Sequence, residues 1–350
     1  MTVLPAGTVL LSSPDRRMTF RLHQRSILIT CVLAVAAAAI AVWSLTLGHY
    51  EMGVADIIRV MTGGGTLIET DVLLNDRLPR VTVALLTGAA FALSGAILQR
   101  IASNPLVSPD VIGINAGAAF GALVVITVIG GSGIHIVAGA LGGAVLAMTL
   151  ILAVANKNGL TGYRLVLVGI GVSAMLSSVI SLILTRANIY QAHTAAMWLT
   201  GSLANRAWTH AVIIGVTLAA LTPALTYLAR FLRLLELGDE LAHTLSGRRG
   251  SNRVALVIVA VTLAAMATAA AGPIGFVALV APQIVRRLLR ERSPGLIPAA
   301  AAGALLVVTA DLAARLMFPA ELPVGVVTAI IGAPVLVYLL ARATRIGHAG

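Results

Sequence analysis

Long apolar runs without charge alternate along the chain with short segments that hold almost all the arginine. No Asp, Glu, Lys or Arg occurs in 26–50, 81–99, 111–156, 165–185 or 254–285. A helix of about 18 or more uncharged apolar residues can cross the hydrocarbon core of a bilayer, so each run predicts at least one span. Two runs are long enough for two helices, and chain breakers divide both: Gly130-Gly131-Ser132-Gly133 in one, Gly272-Pro273 in the other. The spans then fall at 26–47, 80–100, 111–130, 134–155, 164–185, 208–229, 253–271, 275–290, 296–315 and 323–342. The pattern predicts an all-α polytopic membrane protein with about ten transmembrane helices. The ten-residue alternation of an outer-membrane barrel is absent. Segment 1–25 carries Arg16, Arg17, Arg21 and Arg25, but the run that follows is too long for the apolar core of a signal peptide, and we read it as a retained first span.

Composition agrees. Hydrophobic residues make up 59% and charged residues 11% of 350 residues, with a mean hydropathy of +0.99; a soluble domain carries roughly 25% charge. The net charge of +11 raises nucleic-acid binding, which the placement of the charges disfavours, because the arginines sit in short segments between spans, where they set orientation. With the N-terminus in the cytoplasm, 18 of the 24 basic residues lie on the inner side. Both termini are therefore expected to be cytoplasmic: an N-terminal segment 1–25, a transmembrane domain 26–342 with a cytoplasmic loop at about 230–253, and a tail 343–350. Gly113, Gly117 and Gly121, and Gly139 with Gly143, stand at helix-contact spacing. They predict close packing within the chain, with a subunit seam as the alternative.

Several chemistries find no residues to carry them. The span interiors hold essentially no ionisable group for ion coupling; His135 and Asp311 lie near predicted ends and read as solvated. Lys157 is the only lysine, and no Gly-rich phosphate loop surrounds it. Cys31, the single cysteine, lies within the first span, which excludes a disulfide framework, and neither HExxH nor a His-carboxylate cluster occurs for metal. No catalytic residue and no metal site is expected. What remains is a passive channel, or a membrane subunit driven by a separate ATPase.

The largest inner loop bears on that choice. Within it Asp239 can cap a short helix, Glu240 favours the positive dipole end, Gly247 can end it, and Leu241 and Leu245 share a face. A capped helix with an apolar face suits docking into a groove on a cytoplasmic partner; the alternative is a helix lying on the lipid surface.

The stretch from Leu237 to Gly247 (LGDELAHTLSG) resembles the coupling-helix signature of the FecCD-type family, the iron-siderophore and vitamin B12 permeases of ABC importers. Further motifs follow in family order: Arg77-Leu-Pro-Arg80, Gly88-Ala-Ala-Phe-Ala-Leu-Ser-Gly95 leading to Gln99, Asn104-Pro-Leu-Val-Ser-Pro-Asp-Val-Ile-Gly113, the run from Gly272 to Arg286, and Glu321-Leu-Pro-Val-Gly-Val-Val-Thr328. The wording around Asp110 and Asp239 is most similar to ferric-enterobactin-type permease subunits. Gln283 departs from the pattern, standing where many members have His; no role for it follows from the sequence.

The resemblance implies a type II ABC importer permease architecture. Its partners would be a second permease subunit (a copy or a paralogue), two cytoplasmic ATPases that bind ATP and Mg, and an extracytoplasmic substrate-binding protein. It implies a ferric siderophore as substrate, with vitamin B12 or haem as alternatives, in the bacterial cytoplasmic membrane. Carried over by motif, Leu237, Gly238, Asp239, Glu240, Leu241, Ala242, His243 and Leu245 would contact the ATPase. Arg77, Arg80 and Arg315 would face glutamates of the binding protein, their alternative being interfacial snorkelling or intrachain pairing with Asp76 or Asp311. Asn104 and Leu106 would narrow the cytoplasmic end of the pathway, the alternative being a turn fixed by Asn-Pro.

Overall fold

The structure, a computed structural model, describes residues 8–12, 19–48, 50–156, 160–235, 251–290, 295–317 and 321–347. A two-stranded antiparallel hairpin, β1 (Thr8–Ser12) and β2 (Thr19–His23), precedes an otherwise helical chain. It lies ahead of the first span and leaves the transmembrane domain all-α.

Every predicted span has its helix. These are α1 (Gln24–Thr46), α4 (Leu78–Ile101), α6 (Ile114–Val124), α7 (Ile134–Ala155), α8 (Gly162–Arg186), α10 (Trp208–Leu235), α11 (Ser251–Ala271), α12 (Val277–Leu289), α13 (Leu296–Leu316) and α14 (Val324–Gly347). Seven of the helical stretches among the described residues are long and apolar enough to cross a membrane, and shorter apolar helices occupy 114–129 and 324–338. Between them lie α2 (Val54–Met61), α3 (Leu67–Asp71), α5 (Pro109–Ile112) and α9 (Ile189–Leu199). Two π-helical turns, Val72–Arg77 and Val125–Ile129, join α3 to α4 and extend α6.

The core is built around α4, whose residues are buried along nearly its whole length, with α10, α11, α12 and α13 packed against it. By contrast α1 and α8 present most of their apolar surface outward, as suits helices at the edge of a membrane bundle.

Small residues set the contacts. A methyl added at Gly117 would overlap the Gly143 carbonyl, one at Gly121 the Gly139 carbonyl, and the reverse overlaps hold. The glycine pattern therefore packs α6 on α7 within the chain, where backbones approach closely. Gly88 on α4 and Gly303 on α13 meet in the same way. Gly121→Val is expected to destabilise the fold by about 1–3 kcal/mol, the usual cost of overpacking. A lowered unfolding temperature of the purified protein in detergent would show it, and an unchanged one would show that α6 and α7 can separate.

Candidate functional site

Charged residues mark two ends of the bundle. At one end, Arg25 donates to the Leu288 carbonyl (3.0 Å), Arg253 to the Ile101 carbonyl (2.7 Å), and the Arg287 guanidinium lies 4.8 Å from the centre of the Tyr338 ring. These contacts gather the ends of α4 and α12 and the starts of α1 and α11 into a basic end. The opposite, mixed-charge end carries α2, α3 and the starts of α4 and α14.

At the mixed-charge end the three arginines singled out above have different surroundings. Arg77 is 4% exposed. Its guanidinium donates to the Leu45 carbonyl at 2.6 Å and to the Tyr50 carbonyl, tying the end of α1 to the chain beyond it. The π-turn just before α4 places it there, and a neighbouring carbonyl of that turn, Leu74 O, accepts from Trp208 Nε1 at 2.7 Å. Arg77 is thus engaged within the chain, its hydrogen bonds going to those two carbonyls.

Arg80 donates through Nε and Nη2 to Asp311, the closest approach being 2.7 Å, and contacts Glu321 at 2.5 Å. Arg315, one helical turn after Asp311, lies 3.4 Å from its other oxygen and donates to Ser44 Oγ. Asp311 is only 1% exposed. It is not the solvated residue of the sequence reading, because two guanidiniums from α4 and α13 converge on it and replace water. This is the intrachain pairing that stood as the alternative for Arg80 and Arg315. Glu321, 35% exposed, leaves the cluster open on its outward side. His135, by contrast, is exposed. A cleft of about 340 Å³ beside the cluster's end of the bundle is lined by Asp71, Asn75, Asp76, Asn205, Arg206 and Ala207. Burial there pushes the Arg206 guanidinium down to about 10, and it stays charged at neutral pH.

Leu237, Gly238, Asp239, Glu240, Leu241, Ala242, His243 and Leu245 lie outside the described residues. The turn that follows α4 is described in full. Asn104 Oδ1 accepts from Leu106 N (3.0 Å), Asn104 N donates to Gln99 O (3.0 Å), and Ser103 has φ +50°. The turn fixed by Asn-Pro is therefore formed; Asn104 stands exposed and Leu106 half-buried on it. The chain then turns back into the bundle. Gly162 packs on Ala102, whereas Gly169, two turns further along α8, packs on Ile112, so α5 lies about 10 Å inside the end of α4 by helix rise. There Asp110 accepts from Phe276 N (3.3 Å) and from Asn115 Nδ2, and Asn115 Oδ1 accepts from Thr268 Oγ1 (2.9 Å).

Gln283 acquires a place in this arrangement. Its Nε2 donates to Gln99 Oε1 (2.6 Å) and to Pro105 O (3.3 Å), while Gln99 Nε2 reaches the Ala278 and Leu279 carbonyls (3.3 Å each). Arg253 and the Asp110–Asn115–Thr268 chain escaped the sequence reading. Arg253 counted only as a topology charge, and nothing in the spacing says that α5 folds inward.

The profile of the FecCD transport family matches residues 32–342. The ferric enterobactin transport system permease protein FepG of Escherichia coli (strain K12) is 41% identical over 323 residues, covering 92% of this chain and 98% of that protein. The iron(3+)-hydroxamate import system permease protein FhuG of Bacillus subtilis (strain 168) is 38% identical, covering 86% of this chain and 92% of its own length. In FhuB of Salmonella typhimurium (strain LT2), 33% identical, 96% of this chain matches 48% of a longer protein. Among solved structures, a chain put forward as a metal-chelate type ABC transporter in an inward-facing conformation superposes with a TM-score of 0.80 at 29% identity, covering 90% of this chain and 99% of that one.

Proposed function

As this chain belongs to the FecCD transport family, we propose that it is the membrane-spanning subunit of an ATP-binding-cassette importer that carries ferric siderophore across the bacterial cytoplasmic membrane. The observation that carries the reading is the coincidence of fold and ends. A helical bundle superposes on an inward-facing metal-chelate type transporter, and in the sequence the segment that resembles a coupling helix joins α10 to α11.

The work divides between the ends. With both termini cytoplasmic, the basic end faces the cytoplasm, as positive residues prefer. Residues 237–245 would seat in a groove on each ATPase, where ATP and Mg bind; this chain supplies no catalytic group and no cofactor site. Hydrolysis would rock two permease subunits between outward-open and inward-open forms, with Asn104 and Leu106 narrowing the inner exit. That FhuB is long enough for this chain to match about half of it supports the pairing of two such units.

At the outer end, Arg80 and Arg315 remain the docking candidates for carboxylates of a binding protein, since planar guanidinium forks suit them. Glu321 would yield its place to the incoming carboxylate. The enclosed bonds of Arg77 favour a scaffold role. The relatives named for ferric enterobactin and iron(3+)-hydroxamate support a ferric chelate over vitamin B12 or haem.

The test is reconstitution with the partner ATPase and a siderophore-binding protein in liposomes. Iron-loaded siderophore should accumulate only with ATP and both partners, and an excess of vitamin B12 or haem should not compete. Uptake without ATP or partners would identify a passive channel or stand-alone carrier instead.

A further inference from the structure

The turn that carries Asn104 and Leu106 is held at its start and at its middle by side chains from the two helices that follow segment 236–250. At its near end is Ile101, the last residue of α4, whose carbonyl accepts from Arg253 at 2.7 Å. Arg253 lies in the first turn of α11 and is 9% exposed. A cation at a helix C-terminus meets the partial negative charge of the terminal carbonyls. Between Asn104 and Leu106, Pro105 O accepts from Gln283 at 3.3 Å, and Gln283 on α12 is bonded in turn to Gln99 on α4.

Neither residue is placed by topology or packing alone. An arginine serving only as an orientation signal works as well in water, and leaving a guanidinium 9% exposed is costly unless it is bonded. Gln283 sits among apolar side chains of α12, where an amide is retained only if its hydrogen bonds are met. Because one bond ends on the carbonyl that enters the turn and the other on a carbonyl between Asn104 and Leu106, that turn cannot shift relative to α11 and α12 without breaking them. Segment 236–250 runs directly into α11.

We infer that Arg253 and Gln283 are positioning residues that transmit displacement of the ATPase-facing segment to the turn bearing Asn104 and Leu106. The inference rests on the importer reading above, and its test separates the two. The complete complex, with this chain carrying Cys31→Ala and Leu106→Cys, is reconstituted. Uptake, ATP hydrolysis and the rate of maleimide labelling at position 106 are measured with and without ATP.

In the parent, ATP should change the labelling rate. In Arg253→Met and in Gln283→Leu, ATP hydrolysis should stay within about twofold while uptake falls about tenfold, a loss equivalent to one hydrogen bond made in only one of two states. The ATP-dependent change in labelling should then disappear. Arg253→Lys and Gln283→His, which restore a donor, should recover part of both. If Arg253→Met does not assemble with its partners, Gln283→Leu, of similar volume, gives the same reading. The inference is overturned if the variants take up substrate like the parent, or if uptake is lost while position 106 still responds to ATP as in the parent. A parent complex without ATP-dependent uptake would overturn the importer reading itself, and this inference with it.

Discussion

Asp311→Leu should destabilise the folded protein by about 3–5 kcal/mol, because removing one partner of a buried ion pair leaves its counter-charges uncompensated. Asp311 is 1% exposed and lies against two guanidiniums, from Arg80 at 2.7 Å and Arg315 at 3.4 Å, whose side chains are 11% and 12% exposed. Glu321 also neutralises Arg80 but is 35% exposed, and a contact so open to solvent is worth little. It cannot compensate for the loss. Thermal unfolding of the purified protein in detergent measures the effect. A triple variant, Arg80→Met with Asp311→Leu and Arg315→Met, should recover most of the lost stability, since apolar replacement of a whole buried cluster is often neutral. Equal instability in the single and triple variants would mean that shape, rather than charge, is what α4 and α13 share there. The same geometry governs how docking can be probed, for reversing Arg80 would place a third carboxylate beside Asp311 and Glu321 and injure the fold before any partner arrives.

What could be read from the sequence was whatever has a local cause. Uncharged runs of spanning length produce a helix wherever they occur, and the breakers at 130–133 and 272–273 end helices by backbone chemistry alone. The paired glycines at 117 and 121, and at 139 and 143, meet within the chain because only glycine admits a carbonyl at that distance. The Asn104 turn likewise forms from its own side chain. All but one of the unread features are long-range. Asp311 looked solvated because its principal partner, Arg80, lies 231 residues away. Arg77 lay at a helix start, and only the π-turn reveals that it faces the carbonyls of Leu45 and Tyr50. Gln283 and Arg253 carried no signal, since both bond to backbone carbonyls, which every sequence supplies everywhere. The hairpin at 8–12 and 19–23 is the local exception, since segment 1–25 was read only for its arginines ahead of the first span.

One residue inserted before Gly238 should reduce uptake by about a hundredfold or more, because each added helical residue turns the following face by about 100°. Leu241 and Leu245 would then point away from whatever groove they occupy, and the change would reach Ser251, where α11 begins. Asp239→Ala with Glu240→Ala should be milder. It removes a cap and a favourable charge at the dipole end, together worth about 1–2 kcal/mol, but leaves the apolar face in register. The measurement is ATP hydrolysis stimulated by loaded binding protein, alongside uptake, in complexes whose membrane insertion is verified by fractionation. The order of severity matters more than either value alone. If segment 237–245 engages the ATPase, the insertion must be worse than the double substitution, and hydrolysis should become insensitive to the binding protein. If it merely lies on the lipid surface, register is irrelevant, and both variants should transport at close to the parental rate. A segment that serves as a lever has to keep its orientation at both ends; under the proposed function one end would be the partner's groove and the other Arg253, fixed at 2.7 Å to the end of α4.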